Sequence, residues 1–258
     1  LYAAAITANP ARQPVIGWMA DLERMRADDL RQWRERWYAP NNATLVVVGD
    51  VDPKAVFQLA EQHYGRIPAR TLPARAVLPE PSPYGERRLT LKLPAQQSYV
   101  ALAWPAPRLS QLNEVDPYAL DMLAAVLDGH AASRLPRTLV REQRLASSVG
   151  ASYDMSGRGA SLFTVIATPA EGKTTAQLEA ALRSQVGKLA REGVSEAELA
   201  RVRTQLKAAR VYERDSMFGQ AMKIGQLEAL GFSWRDDAEI DPSWKHWGFP
   251  GAMTPKST

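Results

Sequence analysis

The sequence contains no cysteine. Disulfides, thiolate metal sites and cysteine nucleophiles are thereby excluded together. The compartment stays open on this ground, because a protein of an oxidising compartment need not carry disulfides; the periplasm or cell envelope is nevertheless expected over the cytoplasm. Histidine is scarce: His63, His130 and His246 are the three present, and no two lie within a helical turn. None can start a chelating pair on one helix. His63 near a helix end and His130 in a loop read as ordinary surface residues. A Gly-x-Ser-x-Gly elbow and a phosphate-binding loop are absent, and Gly157-Arg-Gly159 is too slight a glycine signal to indicate a nucleotide. No run approaches the roughly 20 apolar residues of a membrane span. Nor is there a dense Lys/Arg tract with interleaved aromatics, so nucleic acid is not an expected partner. The chain opens at Leu1 without Met or a basic leader, and reads as a piece lacking its natural N-terminus.

What is present is ordinary globular material. The 258 residues are 45% hydrophobic and 23% charged, with a net charge of +4, which suffices for one large domain or two smaller ones. From Asp28 to Tyr38, Leu30, Trp33 and Trp37 keep one helical face, and Pro40-Asn-Asn42 stops the helix. Arg26 stands where a hydroxyl cap would start it more firmly. Ala43 to Val48 is a β-branched run without polar alternation, as in a strand covered on both faces. Asp52 then caps a helix with Pro53 at its first position and Val56, Phe57, Ala60 and Tyr64 on its buried face. Capping and solvation account for Asp50, Asp52 and Glu61 without any metal.

Residues 66–86, with five prolines and no apolar period, read as an extended linker and domain boundary. Beyond it Leu89, Leu91 and Leu93 alternate as in a half-buried strand, and Gln97 to Trp104 is its expected neighbour. Asp116 and Pro117 start a helix carrying Leu120, Leu123 and Leu127, closed by Gly129. Ser133 is a candidate cap for a second helix, in which Arg134, Arg137, Arg141 and Arg144 fall on one stripe, either a solvated face or a wall that touches substrate. Strands at Ser148 to Asp154 and Ser161 to Thr168 follow. Thr174 with Gln177 and Ser195 with Glu198 resemble capping boxes of two further helices, the second continuing weakly to Gly231.

The run Gly129 to Tyr153, with Ser133-Arg-Leu135 followed by Leu145-Ala-Ser-Ser-Val-Gly-Ala-Ser-Tyr153, resembles the second domain of the pitrilysin/insulinase zinc peptidases. These are the inverzincins, which include the mitochondrial processing peptidases. Similar pieces extend in order from about residue 13, where Gln13 to Met25 resembles a segment just beyond the family's third zinc ligand, to about residue 235. The resemblance implies an α+β fold, a layered antiparallel-rich β-sheet with helices packed on it. Residues 1–65 would be the remnant of a first, metal-bearing type of domain, closing in an α-β-α unit. Residues 66–86 would be the linker and 87–235 a second domain of order ββααββαα. The stretch 236–258 resembles nothing in the family, as a shifted reading frame or altered terminus would produce, and the strand that should close the second sheet is missing.

The resemblance also implies zinc in the parent protein, held by an H-x-x-E-H helix and a more distant Glu. This chain has no such motif, so neither a catalytic residue nor a bound metal is expected in it. It would form the non-metal half of a chamber enclosing a peptide or unfolded protein; the alternative is a non-catalytic partner or scaffold subunit. Arg134, Arg141, Ser147 and Ser148 are the residues expected to face substrate. Many members place an Arg and a Tyr there to hold substrate or the developing oxyanion. Aligned without a gap, Val140 takes the Arg position and Ser147 the Tyr position; a one-residue deletion makes Arg141 the Arg and still leaves the aromatic missing. That departure implies dependence on a related companion subunit, in a heterodimer, or on a second copy.

Overall fold

Asp52, placed at a helix start by the sequence, accepts from Lys54 N at 3.0 Å, and Thr174 with Gln177 forms a full capping box. These caps fix two of the elements in the computed structural model, which describes residues 1–75, 78–81 and 85–236. In chain order the helices α1 (Tyr2–Ala5), α2 (Met19–Leu22), α3 (Ala27–Trp37) and α4 (Pro53–Tyr64) come first. Strand β1 (Val100–Ala106), α5 (Asp116–Asp128), a π-helix (Pro136–Glu142), β2 (Ala146–Ser152) and β3 (Ser161–Pro169) follow. The described chain then runs through α6 (Thr175–Glu192), α7 (Glu196–Glu213) and α8 (Met217–Leu230).

Two compact units are formed. The first comprises Leu1–Arg12 with residues 78–208; the second comprises residues 13–75 with 209–236. The change of unit thus falls inside the stretch 66–86, but the opening twelve residues go with the later part of the chain and the last helix goes with the earlier part. Side chains explain the first of these departures. The Glu80 carboxylate accepts from Thr7 N and Oγ1, both at 2.5 Å, and from Ala8 N and Asn9 N at 2.9 and 2.8 Å. Asn9 Nδ2 in turn donates to Leu78 O. On the other side of the boundary Arg70 exchanges bonds with the Asn41 side chain and donates to Glu35 O. The proline-rich stretch is therefore tied down at both ends by polar bonds instead of a core of its own.

In the first unit an antiparallel sheet of order β1-β3-β2 is the centre. Its middle strand β3 is buried from Ser161 through Val165 because both edges are paired and its face is covered. Phe163, Val165 and Ala167, alternating on one face as a strand requires, meet Leu127 of α5, Leu135 just before the π-helix and Leu139 within it, and Leu178 and Leu182 of α6. A second cluster joins Met122 and Val126 of α5 to Leu199 and Val202 of α7. The architecture is α+β, an antiparallel sheet packed by helices. β1 begins three residues later than expected, and Pro105 within it suits an edge strand.

Two expected strands do not form. Residues 43–48 and 88–93 have no ladder partner among the described residues, and a strand is stable only when its backbone groups are paired. The order in the first unit is accordingly a single strand, then α5 and the π-helix, then two strands and helices, instead of ββααββαα. The face of α4 expected to be buried is not: the helix contains no fully buried residue, and Phe57 is 74% exposed; α3 likewise has none. The tail expected to be anomalous lies, from residue 237 on, outside the described residues, as does His246.

Candidate functional site

The site is built on the turn between α5 and β2. Asp116 is not a side-chain cap; it is the first helical residue, with Pro117 buried behind it. After Gly129 the chain folds on Ser133, which is 2% exposed. Its Oγ accepts from His130 N at 3.0 Å and lies 3.4 Å from Ala125 O. The hydroxyl therefore ties the loop to α5 instead of capping the next helix. His130, expected on the surface, is half-buried: Nδ1 accepts from Ala132 N at 3.0 Å, and Nε2 is enclosed without a hydrogen-bond partner.

The segment 136–142 winds as a π-helix, shown by the bond from Gln143 N to Thr138 O at 2.9 Å. This wider turn removes the single arginine stripe, because residues three and four apart no longer superpose. Each arginine goes its own way. Arg134 donates Nε and Nη2 to the two oxygens of Glu198 at 2.7 and 2.6 Å, and Nη2 also reaches Gly193 O at 2.9 Å. The pair is largely buried, with side chains 20% and 15% exposed. The hydrogen bond from Arg134 holds the Glu198 carboxyl below its ordinary range against the opposing effect of burial, and the same bond raises Arg134. Arg137 lies 3.5 Å from Glu142 in an exposed pair. Arg141 donates to Ala131 O. Arg144 ends the turn at φ 51°, a left-handed position usually given to glycine.

Ser147 and Ser148 sit at the start of β2. Ala146 faces Pro169 while Ser148 faces Thr168, so Ser147 is the extra residue of a bulge; it is exposed, with Oγ 3.4 Å from Thr168 O. Ser148 is exposed as well. Further along, Ala151 N donates to Asp128 at 3.2 Å, and burial raises this carboxyl despite that bond. Of the two residues that could take the family's Arg position, Val140 packs against the main core and Arg141 is exposed. Among the four residues expected to face substrate, no bond joins any two. Arg134 is committed to α7, whereas Arg141, Ser147 and Ser148 lie exposed.

Sequence reasoning missed the partners of Arg134. Gln185, Lys188, Glu192 and Arg201 join Arg134, Arg137 and Glu198 around one cleft, and no spacing signal links helices so far apart in sequence. The described residues do not fit zinc. They contain no group of three or more His, Cys, Asp or Glu side chains able to hold an ion, and the His130 nitrogen facing its own loop already accepts an N–H.

The first unit is thus an antiparallel sheet packed by helices, and the described residues contain no metal-ligand cluster. The chain belongs to the M16 peptidases, the pitrilysin/insulinase family: residues 24–206 match the peptidase M16 inactive domain. It is 28% identical over 205 residues to the zinc protease PqqE of Helicobacter pylori, covering 78% of this chain and 45% of that protein. The crystal structure of a protease from Helicobacter pylori superposes with a TM-score of 0.85 at 24% identity, covering 93% of this chain and 58% of that one. The periplasmic protease PqqL of Escherichia coli gives 0.65 at 18%, covering 95% and 28%. The chain spans about half the length of the curated relatives it matches.

Proposed function

We propose that this chain is the C-terminal, non-metal part of a zinc-dependent endopeptidase subunit and forms one half of a chamber that encloses a peptide or unfolded protein. The match of residues 24–206 to the inactive domain carries this reading. It is supported by relatives that are named zinc proteases and are about twice as long. Zinc belongs to the parent protein in this reading, and the catalytic step is supplied elsewhere. Arg134, Arg141, Ser147 and Ser148 are the substrate-facing residues in this reading, and the missing aromatic makes a related companion subunit, or a second copy, necessary. Residues 1–65 close the first domain and 87–235 form the second, completed to the order ββααββαα when a further strand pairs with 88–93. The periplasm or cell envelope is the proposed compartment, in keeping with the periplasmic PqqL.

The test is a peptide-cleavage assay. The chain alone is expected to be inactive and free of stoichiometric zinc by atomic absorption after dialysis. Mixed with a related chain that carries H-x-x-E-H, it is expected to give cleavage that a chelator abolishes. Chelator-sensitive cleavage by the 258-residue chain alone would overturn the reading, and no gain from any metal-bearing companion would favour a scaffold role.

A further inference from the structure

A cleft of about 360 Å3 opens where the π-helix, the last turns of α6 and the start of α7 meet. Its charged lining is Arg134, Arg137, Lys188 and Arg201 against Glu192 and Glu198, four cations and two carboxylates. The carboxylates are already answered. Glu198 takes two N–H bonds from Arg134, and Glu192 lies 3.9 Å from Lys188 Nζ. Arg137 has only its exposed 3.5 Å contact with Glu142. Arg201 makes no hydrogen bond among the described residues and acts on Glu198 through its charge alone. Two guanidinium groups lining the cleft are thus left with donors to spare, and the Arg134–Glu198 pair lines it with them.

We propose that this cleft binds a peptide segment through an isolated Asp or Glu side chain, whose carboxylate is taken by Arg137 and Arg201. The proposal rests on the reading of the chain as a peptide-enclosing half and names a feature of the peptide. A guanidinium fork matches a carboxylate in shape as well as charge. A phosphate dianion suits the cleft less, because Glu192 and Glu198 line the same walls and repel a second negative charge. Those carboxylates and the Gln185 amide oxygen, also on the wall, are acceptors. An acceptor has a use only if the ligand brings N–H donors, as the backbone flanking an acidic residue does. The hydroxyls of Thr138 and Ser195 serve either polarity.

The experiment uses fluorescence anisotropy of the complete chain with a short labelled peptide containing one Asp, and with its Asn counterpart. The Asp peptide is expected to bind about tenfold more tightly, the scale of a charge-assisted hydrogen bond, and the difference is expected to shrink at high salt. Arg137→Gln with Arg201→Gln should abolish the preference while thermal unfolding is unchanged, and Arg201→Glu should transfer it to a peptide with Lys in place of Asp. Equal binding of Asp and Asn peptides overturns the cleft and leaves the chamber reading standing. Binding of neither overturns both. Displacement of the Asp peptide by inorganic phosphate at concentrations where free acetate has no effect makes this an oxyanion site and also overturns the proposal.

Discussion

Arg134 illustrates how a single residue acts through its partner. With both oxygens of a mostly buried Glu198 in its fork, truncation would strand a carboxylate that loses two bonded donors and cannot hydrate freely. Arg134→Ala is therefore expected to lower stability by about 2–3 kcal/mol in urea denaturation, the range for hydrogen bonds to charged groups. Arg134→Lys should recover only part, since an ammonium cannot offer two parallel N–H bonds. Glu80 gives a second residue-scale expectation. Its desolvation pushes the carboxyl up, but bonds from the Thr7 hydroxyl and the amides of Thr7, Asn9 and Ala8 outweigh this and bring it from 4.5 down to about 2. A carboxyl depressed by folding stabilises the fold fully above its ordinary value and loses that contribution as pH falls through the folded one. Acid titration of thermal stability should thus show a decline between about pH 4.5 and pH 2. Glu80→Gln should flatten that part of the curve, and an unchanged acid limb in the variant would remove Glu80 as its cause.

At the scale of elements, the outcome followed what each signal physically depends on. Caps need only neighbours in sequence, so Asp52, the Thr174–Gln177 box and the Ser195 hydroxyl accepting from Glu198 N were legible. The strand at 161–169 was legible because its partners are present to pair with it. Leu89, Leu91 and Leu93 carry an equally clear alternation, yet a period of two states only which face would be buried if a ladder existed. The π-helix had no signature at all. It keeps Leu135 and Leu139 in the core, and it scatters the arginines that an α-helix would have aligned. The contrast can be measured. Leu182→Ala, in the core of the first unit, is expected to cost about 2–5 kcal/mol through lost burial and a residual cavity. Leu91→Ala, at a position 67% exposed, should stay within about 0.5 kcal/mol. A large cost at Leu91 in this chain would show that residues 88–93 are paired in solution.

For the whole molecule the decisive fact is the difference between its two units. The first has a continuous core under its sheet. In the second, many apolar side chains lie outward: Leu30 and Trp33 on α3, Leu45 and Val47 on the run 43–48, and Phe57 on α4 are all exposed. These exposed apolar side chains are the expected site of association. The sequence pattern predicts burial for Leu45, Val47 and Phe57, and the structure leaves all three exposed. The expected consequence for the chain by itself is association that increases with concentration. Because the face is apolar, salt should not relieve that association, whereas an electrostatic contact would weaken as the charges are screened. Leu30→Lys with Phe57→Lys places two cations in the face without disturbing a buried residue. In light scattering this variant should move the population toward monomer, with the unfolding transition of the first unit unaltered. A chain that is already monomeric at high concentration, or a variant that associates as before, would place the contact elsewhere. The outer edges of β1 and β2, unpaired among the described residues, would then be the next surfaces to test, although β1 already carries Pro105, which withholds a donor from any strand that tries to add there.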